Sequence, residues 1–168
     1  MKTMFVVVVV LFLSCHAGFA QLTAKNIKFD AAIAGFKFAV DFQGTLVYTP
    51  NGNADLDTKD PTAFSYSIYQ DATYNKAVEQ IEEYMKMSTD RGYLQTDVVK
   101  KETVVNGNKA YYISYTETLP NSDYKNINFN GFFINGTTAV LFISGDTKGG
   151  MYIDKLKKTF FSTKIVFP

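Results

Sequence analysis

Asn51-Gly52-Asn53-Ala54-Asp55-Leu56-Asp57 spaces oxygen-bearing side chains two residues apart, and a loop of that spacing can supply the all-oxygen shell that calcium takes. Leu56 stands at the sixth position, where glycine makes the sharp turn, and Thr62 at the twelfth, where a glutamate would chelate. The segment is read as a polar turn, and ion binding at Asn51–Asp57 is left open. Gly145-Asp146-Thr147-Lys148-Gly149-Gly150 falls between an expected strand and an expected helix, where backbone N–H groups can hold an anion. The order is wrong for a phosphate loop, which needs Gly-Lys followed by Ser or Thr, so the glycines are read as a flexible connection. Glu79, Glu82 and Glu83 lie close together, but on the polar side of an expected helix, whereas acid–base work needs a carboxyl whose pKa is shifted inside a cleft. Histidine and cysteine occur only as Cys15 and His16. Imidazole and thiolate are the commonest tools for proton transfer, covalent attack and soft-metal binding near neutral pH. No catalytic, cofactor-binding or metal-ligating residue is assigned, no cofactor is expected, and the chain is expected not to be an enzyme.

Three further groups have two readings. Tyr111, Tyr112 and Tyr115 on one strand, and Phe129, Phe132 and Phe133 on its neighbour, could form an aromatic platform for a sugar, lipid or peptide; such residues are more often core. Lys155, Lys157, Lys158 and Lys164 make the C-terminal end basic, which suits an acidic partner or a solvated helix face. Asn135-Gly136-Thr137 is a formal glycosylation sequon, but it coincides with a hairpin turn and is treated as chance.

These residues must be placed by the elements around them. Phe36, Phe38, Val40 and Phe42 alternate with Lys37, Ala39 and Asp41, the period of a half-buried strand with its apolar residues on one face. Gln43-Gly44 reads as a turn and Leu46 to Tyr48 as the returning strand; Pro50 to Pro61 is a polar loop; Phe64, Tyr66 and Ile68 alternate again. From about Asp71 the apolar spacing becomes helical through Tyr74, Ala77, Val78, Ile81, Tyr84 and Met85. Asp71 or Thr73 would cap that helix and Gly92 end it, with Glu82 and Lys86 as an i,i+4 pair. Strands Leu94–Val105 and Lys109–Thr118 flank Asn106-Gly107-Asn108, and strands 126–134 and 138–144 flank Asn135-Gly136, two hairpin signals. Met151 to Phe161 reads as a closing helix with Ile153, Leu156 and Phe160 inward, and Lys164 to Phe167 as a short last strand. Gln21 to Lys28 reads as a loose lead-in. Antiparallel strands with segregated helices make an α+β domain. Several strands are apolar on both faces, so helices are expected on both sides of the sheet, an α/β/α sandwich.

The first twenty residues read as a secretory signal peptide: Lys2, the apolar run Met4 to Leu13, then Gly18-Phe19-Ala20 as a small-any-small cleavage pattern. The run is about ten residues, half the roughly 20 that a membrane-crossing helix needs. Cleavage after Ala20 would leave one domain, residues 21–168, large enough to bury roughly 70% of its unfolded surface. Phe12-Leu13-Ser14-Cys15 also resembles a lipoprotein signal, so a membrane tether is expected only if Cys15 is lipidated. The protein is therefore expected to be exported, periplasmic or extracellular, with anchoring through Cys15 as the alternative. Lysine plus arginine (17) nearly match aspartate plus glutamate (16), and removal of Lys2 balances them, which leaves no basic field for nucleic acid.

The Gly35-Phe36-Lys37-Phe38 strand, the central helix, the Val104-Val105-Asn106-Gly107-Asn108-Lys109-Ala110-Tyr111 hairpin and the closing Leu156–Thr163 segment resemble the PsbP-like superfamily. Phe42-Gln43-Gly44-Thr45 departs from the family's Pro-x-x-Trp after the first strand, so a photosystem role is not expected. The resemblance implies an antiparallel sheet between helices. It also implies a bacterial envelope member akin to DcrB-like lipoproteins, and a role in assisting larger assemblies rather than catalysis; no family site residue transfers. The expected function is a non-catalytic binding or accessory protein whose partner is another protein. The alternatives are a carrier of a lipid or other apolar molecule in a cavity between sheet and helix, and a carboxylate- or metal-dependent enzyme.

Overall fold

A computed structural model describes residues 23, 25–30, 34–54 and 62–167. The signal peptide, Cys15, and Asp55 and Asp57 of the polar loop lie outside these residues. In chain order the described elements are β1 (Ile27–Lys28), β2 (Lys37–Phe42), β3 (Thr45–Thr49), β4 (Ala63–Tyr69), α1 (Tyr74–Asp90), β5 (Leu94–Val105), β6 (Asn108–Thr118), β7 (Lys125–Asn135), β8 (Thr138–Asp146), α2 (Ile153–Ser162) and β9 (Lys164–Ile165). Strands β2 to β8 form one antiparallel sheet in the order β2-β3-β4-β8-β7-β6-β5. The chain leaves β4 in the middle of that sheet, crosses as α1, and re-enters at the far edge as β5. It then returns inward by two hairpins.

Alternation along each strand divides the apolar residues between two faces. On one face Phe64, Tyr66, Phe129, Phe133, Val140 and Phe142 pack under Leu156 and Phe160 of α2; the Phe133 and Phe160 rings stack with centroids 4.4 Å apart. On the other, Tyr111, Ile113, Phe132, Ala139 and Leu141 meet Ala77 and Ile81 of α1. Burying each of these larger side chains stabilises the fold by about 1.5–3 kcal/mol. The aromatic cluster of the sequence is therefore core, split between both faces. The expected helix–sheet–helix layering is present.

Helix α1 starts where Thr73 Oγ1 accepts the Lys76 amide at 3.3 Å. It ends in a Schellman arrangement, Tyr93 N–H to Ser88 O at 3.2 Å and Gly92 N–H to Thr89 O at 2.9 Å. Three local expectations need correcting. Lys37–Phe42 does not keep one apolar face: a bulge between Phe38 and Val40 sets Phe38 opposite Tyr48 but Val40 opposite Val47. Phe38 and Phe42 therefore lie on opposite faces, 49% and 43% exposed. A bulge inserts one residue without changing the sequence period, so alternation alone does not reveal it. The second hairpin turns on Gly136-Thr137, since Asn135 already pairs with Thr138 and Gly136 takes the positive φ of 59°. The lead-in ends in a strand: β1 pairs with β9, and Asn26 Nδ2 donates to Val166 O at 3.0 Å. Two-residue strands are too short to show a period.

Candidate binding site

Helix α1 covers the sheet only as far as its own apolar stripe reaches. Beyond Ile113 and Phe132 the next sheet positions facing it are Tyr115, Asn130 and Asn128, and after them Glu117 and Asn126. This follows from β7 itself, where Asn126-Ile127-Asn128-Phe129-Asn130 puts three amides on the α1 face and Ile127 and Phe129 on the α2 face. The pairing Ile113↔Asn130, Tyr115↔Asn128 and Glu117↔Asn126 completes a polar row across β6 and β7. Above it, the last two turns of α1 supply Tyr84, Met87 and Ser88, with Arg91 at its C-cap. Together with Tyr115, Asn128, Asn130 and Ile143 they line a half-open cleft of about 120 Å³.

The row is buried yet only partly satisfied. Asn130, 2% exposed, enters the sheet ladder: its Oδ1 accepts the Ser144 amide at 2.9 Å, where the β7–β8 pairing is interrupted between Asn128 and Gly131. Its Nδ2 stands 3.5 Å from the Tyr115 hydroxyl. Asn126 Nδ2 donates to Asn128 Oδ1 at 3.0 Å. Asn128 is 8% and Glu117 5% exposed, and Asn128 Nδ2, Asn126 Oδ1 and Glu117 Oε1 have no hydrogen-bond partner. A buried polar atom without a partner costs about 1–3 kcal/mol, so three neighbours of this kind mark a place where the fold gives up stability. Burial pushes the Tyr84 phenol up. Burial and the Glu117 charge do the same to Tyr115, and together with Tyr93 they push Tyr124 up to about 12. These phenols stay protonated at neutral pH, and the site presents hydroxyls and amides.

The sequence candidates fall elsewhere. Glu82 does not pair along the helix with Lys86: it accepts the Tyr111 hydroxyl at 2.6 Å and meets Lys100 Nζ at 2.8 Å, fastening α1 to the sheet. Burial disfavours its charge, but the hydrogen bonds from Lys100 and Tyr111 and the lysine's charge outweigh burial and hold its carboxyl below the usual value. In the 145–150 connection one N–H group, that of Lys148, is already taken by the chain's own Asp146 carboxyl. The fully buried Asp146 accepts Lys148 N–H at 2.9 Å and Tyr152 N–H at 2.6 Å. Asn51 Oδ1 closes a local turn with Thr49 Oγ1 and the Asn53 amide at 3.1 and 2.9 Å. Lys155, Lys158 and Lys164 are exposed on and just after α2. The asparagine row was not singled out from the sequence. Its signal is there, as amides at i, i+2 and i+4 of an otherwise apolar strand, but only the position of α1 shows that this face is covered.

No protein-family description matches the chain, and no curated protein sequence matches it. Among solved structures, the solution structure of cyanobacterial PsbP from Synechocystis sp. PCC 6803 aligns over 91% of this chain and 98% of its own, with a TM-score of 0.53 at 16% identity. A crystal structure of a Pseudomonas aeruginosa protein of unknown function aligns over 79% of this chain and 98% of its own, with a TM-score of 0.43 at 11% identity, too low a score to argue from. At that divergence the first likeness speaks for architecture alone. With its layered helices and seven-stranded antiparallel sheet, the chain has the PsbP-like α+β fold.

Proposed function

We propose that this protein is an exported, non-catalytic accessory protein that works by contact with a partner protein. The observation that carries the reading is the structural use made of three of its reactive groups, Asp146, Glu82 and Tyr66. Asp146 holds two backbone amides, Glu82 clamps α1 to β5 and β6, and the Tyr66 hydroxyl is bonded to Thr163 at 2.6 Å inside the core. Groups engaged in this way build a scaffold rather than a reaction centre. Export rests on the leader pattern of residues 1–20, and placement in a bacterial envelope on the likeness stated for the sequence. An apolar carrier is less well supported: the cleft of about 120 Å³ is well below the roughly 300–1,000 Å³ of pockets that enclose such cargo. Native mass spectrometry of the protein isolated from its own source tests the proposal. The expected mass lacks the leader and is accompanied by a second polypeptide in fixed ratio. A bare monomer or a retained small molecule counts against it, and substrate turnover by the purified protein overturns it.

A further inference from the structure

We propose that the outer edge of β5 is a self-recognition surface, on which a second copy of this chain docks antiparallel so that the two sheets become one. This self-association adds to the partner-protein reading and does not rest on it.

Both ends of the sheet are open: among the described residues neither β2 nor β5 has a strand on its outer side. Such an edge exposes unpaired N–H and C=O groups, and a bulge blunts it. The bulge in β2 falls at the middle of a six-residue strand. In β5 it falls near the start, between Thr96 and Val99, and leaves Val99 to Val105 in regular register with β6. The Asn106-Gly107 turn fixes which groups are free. A two-residue turn is closed by a pair that exchanges both backbone hydrogen bonds, here Val105 and Asn108. Alternation then points the amides of Val99, Lys101 and Thr103 at β6, and those of Lys100, Glu102 and Val104 outward.

The side chains choose the occupant. Two identical antiparallel strands meet about a two-fold axis normal to the sheet, so the partner presents the same residues in reverse order. With the axis at Lys101, Lys100 faces the partner's Glu102 and Glu102 faces the partner's Lys100. Val98 and Val104, 45% and 68% exposed, meet at the two ends of the same face. The Lys–Glu positions are also those with outward amides, so charges and backbone hydrogen bonds fall together. Lys100 already stands 2.8 Å from Glu82 of α1, and the pairing extends that charge row across the junction. On the opposite face Lys101 meets its own copy, one like-charge contact against two Lys–Glu pairs. An axis at Lys100 or at Glu102 instead makes a like-charge contact with no Lys–Glu pair to offset it. The charges therefore select one register of a second copy.

Sedimentation equilibrium of the full chain as exported tests this, with amide hydrogen exchange to locate the contact. A concentration-dependent dimer is expected, and the Lys100, Glu102 and Val104 amides gain protection as it forms. The two-fold makes each substitution act twice. Lys100→Gln and Glu102→Gln should each weaken the dimer about fivefold, whereas Lys101→Gln should tighten it about threefold. Opposite effects from adjacent lysines cannot come from a general change of charge. The distant Lys158→Gln should leave the dimer unchanged. All four positions are exposed, and circular dichroism checks that each variant folds. A monomer at every concentration up to about 1 mM overturns the proposal. So does a dimer in which those three amides stay unprotected, or one that the β5 variants leave unchanged or shift alike. Protection of the same amides only when a different polypeptide is added also overturns it.

Discussion

Glu82 carries a charge at a place where packing would favour a neutral group, and its neighbours decide the outcome. Lys100 and Tyr111 hold the carboxyl below its ordinary pKa. A group whose folded pKa is depressed contributes stability above its unfolded value and loses it as pH falls through the folded one. Glu82→Gln is therefore expected to cost up to about 1 kcal/mol at neutral pH, because the pair is partly exposed. It should also flatten the acid side of the stability curve, read by urea unfolding as a function of pH. Gly131 is a steric counterpart. A Cβ there would stand 2.5 Å from Tyr111 O and 2.9 Å from Phe160 Cε2, so neither the ladder nor α2 could stay in place. Gly131→Ala is expected to destabilise by about 1–3 kcal/mol or more, seen as a lower midpoint in thermal unfolding.

At the scale of elements, α1 is a helix whose two ends are made by different chemistry. Thr73 satisfies its start, and Gly92, at φ 86° with nothing near its Cα hydrogen, lets the chain turn back toward β5. Gly92→Ala meets no steric obstacle, so its expected cost of about 1–2 kcal/mol comes from the left-handed backbone alone. If chemical denaturation shows no loss, the Schellman end does not require that conformation. Ser88 and Arg91 beside that turn line the cleft, so the end of the helix and the rim of the cleft are one structure. Asn106 and Gly107, with φ of 48° and 85°, set the β5–β6 register, and the separate β6–β7 register sets Tyr115 opposite Asn128 and Glu117 opposite Asn126.

Across the whole molecule the two helices convert one sheet into two cores, and buried phenols are spread through both. Burial raises the pKa of Tyr66 and Tyr115; burial with the Glu82 charge raises Tyr111, and burial with Glu102 pushes Tyr74 up to about 12. A phenol whose folded pKa is raised contributes stability below its unfolded value of about 10 and loses it as pH climbs past that point. The protein is expected to keep its stability up to about pH 10 and then to lose it steeply, with phenolate absorbance rising together with loss of circular dichroism. Deprotonation of the Tyr66 or Tyr115 phenol in the fully folded protein, followed at their own ring resonances, would contradict the burial of these residues.

The sequence by itself determined the elements and their layering. Phe64 to Tyr69, the stripe from Tyr74 to Met85 and the Asn106-Gly107 turn each carry a local period or backbone requirement that neighbours a few residues away can express. It did not determine which face a strand presents after a bulge, as at Phe38 and Val40, nor that Glu82 bonds the sheet instead of Lys86. Nor did it show that α1 ends beside Asn128 and Asn130. Those facts depend on partners far along the chain, Tyr48, Lys100, Tyr111 and Ser144. Whether a polar row is a wetted surface or a binding cleft depends on what covers it, and only the tertiary packing supplies the cover.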